Sequence, residues 1–166
     1  MCSKLYSLIP CASLSYLVLL NFNRCIPRDK TMLEEAFNYR LITSGAGAEF
    51  LTFSCLPSPK KQGAALRKVL IDRKVLVFRD KELKPLDFLE FMRRFGEPYA
   101  GDLTPQDDNP PEIGVIKVCP NERQTINFWH IDYSFTEMPA RILALHAKDV
   151  LPCGGDTLFT NLEAAY

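Results

Sequence analysis

The stretch Phe128-Trp129-His130-Ile131-Asp132-Tyr133-Ser134-Phe135 holds the residues whose types and spacing are best suited to chemistry. Imidazole nitrogen and carboxylate oxygen are donors that first-row divalent metals accept. On an extended strand, residues i and i+2 project from the same face, so His130 and Asp132 would point together. Two donors from one strand make an ordered half of a metal site. One further protein donor would leave three positions open, the arrangement of non-haem Fe(II) oxygenases. The ring must be neutral to bind, so affinity would fall as pH drops through the histidine range. Taken alone, the same residues also fit a strand histidine hydrogen-bonded to a neighbour. Trp129, Tyr133 and Phe135 are equally ordinary residues for a core strand.

The elements around this stretch read as one α+β domain from Phe37 onward. Ser44-Gly45-Ala46-Gly47-Ala48-Glu49 is a small-residue turn with no Lys-Ser/Thr after it, so a phosphate loop is not supported. A helix is expected from about Lys60 to Arg73, burying Leu66, Val69 and Leu70. The apolar run Val75-Leu76-Val77-Phe78 reads as a buried strand. A second helix starts at Pro85, carries Phe88, Leu89, Met92 and Phe95 on one face, and ends at Gly96. Gly101 to Glu112 is an acidic, proline-containing loop. Strands are expected at Ile113 to Val118, His130 to Phe135, and Arg141 to Val150. Cys153-Gly154-Gly155-Asp156 then turns into Thr157-Leu158-Phe159. Helices early and short strands later suggest a β-sandwich or jelly-roll wrapped by N-terminal helices.

Composition narrows the function. The 166 residues carry 20 Lys+Arg against 20 Asp+Glu, a balance that argues against a broad nucleic-acid footprint. There are six cysteines but no CxxC pair, so neither a zinc knuckle nor a thioredoxin-type site is present. With two histidines in the chain, functions needing several imidazoles from it are excluded. A zinc hydrolase built on His130 and Asp132 would lack further histidines and a placed general base.

Several motifs occur in order: Val75-Leu76-Val77-Phe78-Arg79-Asp80, Phe95-Gly96-Glu97, Trp129-His130-x-Asp132-x-Ser134-Phe135, Pro139-Ala140, Gly154-Gly155-Asp156-Thr157-Leu158-Phe159 and Ala164-Ala165-Tyr166. In this order and spacing the chain resembles the taurine catabolism dioxygenase (TauD/TfdA) family from about Phe37 to Tyr166. The resemblance implies a double-stranded β-helix, the jelly-roll of cupin-like proteins, with N-terminal helices. It makes His130 and Asp132 the first two Fe(II) ligands and Thr157 the hydroxyl that hydrogen-bonds a 2-oxoglutarate carboxylate. The implied reaction takes Fe(II), 2-oxoglutarate and O2, releases succinate and CO2, and hydroxylates a small organic substrate.

The chain also departs from the family pattern. The family's second iron histidine and its 2-oxoglutarate arginine have no match here. His146, in Leu145-His146-Ala147, matches a strand position and reads as structural. The expectation is therefore an apparently truncated domain, with little activity from these 166 residues alone. The alternative is a non-catalytic relic, or a fragment that binds a partner through an unpaired sheet edge. Taurine-oxidising members place a histidine after Phe-Gly-Glu, where this chain has Tyr99-Ala100-Gly101-Asp102, so taurine is disfavoured. Self-association as a homo-oligomer is left open.

Residues 1–36 read as a doubtful N-terminal extension, set off from a domain at 37–166. Leu5 to Phe22 is apolar between Lys4 and Arg24, as a signal peptide or short anchor would be. Other readings are a start at Met32, with translated upstream residues or a divergent extension before it, and a docked N-terminal segment. Chemistry with Fe(II) and a central metabolite favours a cytoplasmic setting over export or a membrane.

Overall fold

The computed structural model describes residues 3–8, 16–20, 31–34, 37–51, 59–79, 82–99, 109–118, 128–137, 139–149 and 157–166. The elements are β1 (Ser3–Leu8), β2 (Tyr16–Leu20), β3 (Thr31–Glu34), β4 (Phe37–Leu41), β5 (Ala48–Phe50), α1 (Pro59–Arg73), β6 (Val75–Phe78), α2 (Pro85–Met92), β7 (Gly114–Val118), β8 (Ile142–Ala147) and α3 (Leu162–Ala165).

The strands form one eight-stranded mixed sheet in the order β3-β4-β5-β6-β2-β8-β1-β7. β2 lies between β6 and β8 and runs parallel to both, while β1 pairs antiparallel with β8 and β7. Strands from the apolar run Leu5–Phe22 thus pair with strands of the 37–166 stretch. The arrangement is mixed α+β with a partial sheet. Five strands precede α1, so the expected order of helices first and strands later does not hold. Among the described residues no helix is long and apolar enough to cross a membrane.

Strand periodicity explains the two faces of the sheet. Leu76 and Phe78 of β6, Phe37 and Tyr39 of β4, Ala48 and Phe50 of β5, and Ile142 and Ala144 of β8 pack with Leu66, Val69 and Leu70 of α1 and Phe88 of α2. The intervening Val75 and Val77 lie in a separate cluster with Leu143 and Leu145. A run apolar at every position is what a strand needs when both faces are covered. Aromatics dominate the larger core: Phe50 stacks on Phe78 at 4.6 Å between ring centroids, and Phe91 meets Phe78 edge-on at 5.5 Å.

The face opposite the helices holds a buried ion triad. Glu49 pairs with Arg40 at 2.7 Å and with Arg79 at 2.8 Å, its side chain only 5 % exposed. Arg40 and Glu49 are cross-strand partners in the β4–β5 register, which sets their side chains on one face.

Helix ends follow local chemistry. α1 stops where Lys74 turns left-handed (φ 67°) and donates its N–H to Leu70 O at 2.7 Å, the αL end more often made with glycine. Gly47 N–H donates to Arg73 O at 2.7 Å, docking the 42–47 turn onto that helix end. α2 begins with proline after an extended Lys84. It ends at Met92, short of the expected Gly96, whose φ of 154° is far from the left-handed helical value. α1 and the residues after α2 approach closely. Gln62 Oε1 accepts from Arg94 Nη1 at 2.7 Å, Arg67 Nη2 donates to Phe95 O, and a Cβ on Gly63 would lie 2.7 Å from Arg94 O.

Candidate metal-binding site

Residues 128–135 do not form the expected strand. Phe128 to Ile131 are irregular, and Asp132 to Phe135 are turn. The physical reason lies in where the backbone hydrogen bonds go. Ser134 N–H donates to Ile131 O at 3.4 Å and Thr136 N–H to Tyr133 O at 3.1 Å, each three residues back. Tyr133 is left-handed at φ 57°, a conformation that breaks an extended run and costs a bulky residue about 1–3 kcal/mol. The aromatic, β-branched composition that suggests a strand is therefore carried by a local turn. Phe128, Trp129, Ile131 and Phe135 are all exposed.

His130 and Asp132 nonetheless meet. His130 Nε2 lies 3.1 Å from Asp132 Oδ1, with both side chains about two-fifths exposed. On the other side of the ring, His130 Nδ1 donates to Phe128 O at 3.0 Å. A carbonyl can only accept, so this bond places a proton on Nδ1. Nε2 and the carboxylate oxygen then face each other, a geometry in which one cation can bridge them. Two cis ligands with bonds of about 2.1 Å stand about 3 Å apart, so the observed separation fits one edge of an octahedral site. A backbone carbonyl on the second ring nitrogen is the usual outer partner of a metal-ligating histidine. The donor set fits a first-row divalent metal. Among the described residues, no group of three His, Cys, Asp or Glu side chains converges. The site as described therefore supplies two donors.

Thr157 is exposed in an irregular segment, and no hydrogen bond among the described residues ties it to the pair. Its segment is anchored elsewhere. Asn161 Nδ2 donates to Gly45 O at 3.1 Å, and Lys74 pairs with Glu163 at 2.7 Å. Asn161 also caps α3, accepting from Glu163 N–H at 3.1 Å. Gly154, Gly155 and Asp156 lie outside the described residues.

His146 is fully buried in β8, its ring 5.5 Å from that of Phe88 in α2. It lies opposite Tyr6 of β1 and Leu20 of β2 in the sheet. This is the position of a core residue, as its sequence setting suggests. Phe128 and Thr136, which hold the pair and its turn through hydrogen bonds, were not evident from sequence. No residue type announced a left-handed tyrosine.

With this geometry in view, the chain belongs to the taurine catabolism dioxygenase TauD, TfdA family, whose profile matches residues 38–166. Among characterised proteins, it is 32 % identical over 119 residues to the alpha-ketoglutarate-dependent 2,4-dichlorophenoxyacetate dioxygenase of Cupriavidus pinatubonensis, covering 61 % of this chain and 41 % of that protein. It is 40 % identical over 103 residues to pentalenolactone F synthase of Streptomyces avermitilis, covering 55 % of this chain and 34 % of that protein. The alpha-ketoglutarate-dependent sulfate ester dioxygenase of Pseudomonas putida is 29 % identical over 103 residues, covering 61 % and 34 %. The chain thus spans between 34 % and 41 % of the length of these three relatives. No solved structure matches it.

Proposed function

We propose that residues 37–166 are the stretch of an Fe(II)- and 2-oxoglutarate-dependent dioxygenase that presents the first two iron ligands. The whole protein would hydroxylate a small organic substrate with release of succinate and CO2. Family membership supports placing the sheet within a double-stranded β-helix. Alpha-ketoglutarate, named for two of the relatives, is the same compound as 2-oxoglutarate. The observation that carries the reading is the His130 Nε2–Asp132 Oδ1 pair at 3.1 Å, with the second ring nitrogen held by Phe128 O.

In this reading His130 and Asp132 would hold the metal. Bound there, Fe(II) supplies the redox chemistry that couples O2 to oxidation of 2-oxoglutarate and of a substrate C–H bond. The chain's own groups do the positioning. Phe128 O fixes the tautomer of His130, so that Nε2 presents its lone pair. The Asp132 carboxylate adds a negative charge that favours a divalent cation. The Thr157 hydroxyl is a donor suited to a 2-oxoglutarate carboxylate oxygen.

Equilibrium binding of Fe(II) to the purified chain under anaerobic conditions, with and without 2-oxoglutarate, tests this. The expected result is saturable binding that 2-oxoglutarate strengthens and that His130→Ala or Asp132→Ala abolishes. Iron held equally by wild type and both variants would overturn the assignment. Absence of binding to the wild type would favour the non-catalytic, partner-binding alternative. For the whole protein, iron-dependent release of succinate is the corresponding readout.

A further inference from the structure

The two donors meet outside any paired strand, and the turn just beyond Asp132 bears on how they do. Along a strand, residues i and i+2 stand roughly 7 Å apart, so direct contact between their polar tips needs a further convergence. Here the chain turns instead. Ile131 O accepts from Ser134 N–H, and the third residue of that turn, Tyr133, is left-handed at φ 57°. Glycine or asparagine is the usual occupant where a turn demands positive φ, and tyrosine has no such preference. Its conformation must be imposed by its surroundings.

Thr136 is the residue placed to impose it. The Tyr133 carbonyl accepts twice from Thr136, from its N–H at 3.1 Å and from Oγ1 at 2.9 Å. Two bonds on one oxygen fix the peptide plane that follows Tyr133. The Tyr133 ring also stacks on Phe135, with centroids 5.8 Å apart and planes at 26°. On the far side, Phe128 O holds Nδ1 of the imidazole.

We propose that Tyr133 and Thr136 are positioning residues for the His130–Asp132 pair: the left-handed backbone of Tyr133, locked by Thr136, turns the Asp132 carboxylate onto His130 Nε2. The role in metal binding rests on the pair being the iron-ligating pair, whereas the role in orienting Asp132 does not.

Four variants of the full chain test it: Thr136→Val, which loses the hydroxyl; Thr136→Ser, which keeps it; Tyr133→Ile, whose β-branched side chain resists positive φ; and Tyr133→Gly, which accepts it. One readout is the ring 15N signals of His130 in metal-free protein at one fixed pH, with Asp132→Ala, which removes every polar partner at that position, as the reference for a broken contact. The other is affinity for Mn(II) alone, measured by the loss of its free-ion paramagnetic resonance signal. Thr136→Val and Tyr133→Ile are expected to move the ring signals toward those of Asp132→Ala. They should also weaken Mn(II) by about 10- to 100-fold, the range for outer partners of metal ligands. Thr136→Ser and Tyr133→Gly should stay within about twofold of wild type. If Tyr133→Ile does not fold, the Thr136 pair of variants decides. Wild-type ring signals in Thr136→Val would overturn the proposal. If the wild type binds no Mn(II), the metal reading fails separately, and loss of the contact in Thr136→Val with retention in Thr136→Ser upholds the positioning role.

Discussion

Phe78 lies fully buried in β6, between a strand on either side, with Phe50 stacked on its ring and Phe91 against its edge. Phe135 is 83 % exposed and stacks on Tyr133, two residues away in the chain. The two belong to regions held together by different means. Around Phe78, neighbours come from β5, α1 and α2, and the backbone is bonded into a sheet ladder. Around Phe135, the described backbone bonds reach three residues back. Stability therefore resides in the helix-covered sheet, and the proposed metal ligands sit in a locally braced turn. Changes in one region should leave the other largely unaffected.

The sharpest way to break the contrast is to damage the core. Phe78→Ala removes an aromatic ring from a packed cluster, and chemical denaturation should show a loss of about 3–5 kcal/mol. Glu49→Ala leaves Arg40 and Arg79 facing each other in a largely buried site. A loss of about 3 kcal/mol is expected, near the low end for a broken buried pair because both arginines keep some contact with water. Replacing the whole triad with apolar residues of similar volume should be far milder, and a triple-variant denaturation curve checks this. Gly63→Ala pits helix propensity, worth about 1 kcal/mol in favour of alanine, against a Cβ 2.7 Å from Arg94 O. Backbone cannot yield as a side chain tip can, so a net loss of about 1–2 kcal/mol is expected in thermal unfolding. His130→Ala sits at the other end of the scale. An exposed turn contributes little to folding, so its stability should change by less than about 0.5 kcal/mol while Fe(II) binding is lost. A large fall in stability on that substitution would show the two regions to be coupled.

Parts of this division are legible in the residues themselves. Leu66, Val69 and Leu70 recur at helical spacing, and a valine-rich run after Arg73 marks β6. Both signals are local, because α1 and β6 are formed by neighbours in the chain. The neighbours of β6 are not local. β2 comes from residues 16–20 and enters the sheet between β6 and β8, a pairing across more than fifty residues that no periodicity announces. Glu49 likewise carries no sign that two arginines will surround it, since Arg40 and Arg79 reach it only once β4, β5 and β6 are side by side.

The candidate site divides in the same way. Donor chemistry belongs to residue type: an imidazole and a carboxylate two positions apart can serve a metal whatever the backbone does, and the order of surrounding motifs placed them in a family. The sequence by itself marked His130 and Asp132 as candidate donors, placed His146 in a core strand, and indicated α1, β6 and β8. The tertiary structure alone decided how the donors meet. Aromatic residues favour a strand only when another strand is there to pair with them and bury them. Residues 128–135, largely exposed, close their hydrogen bonds locally, and in the proposed arrangement a left-handed Tyr133 turns Asp132 onto the ring.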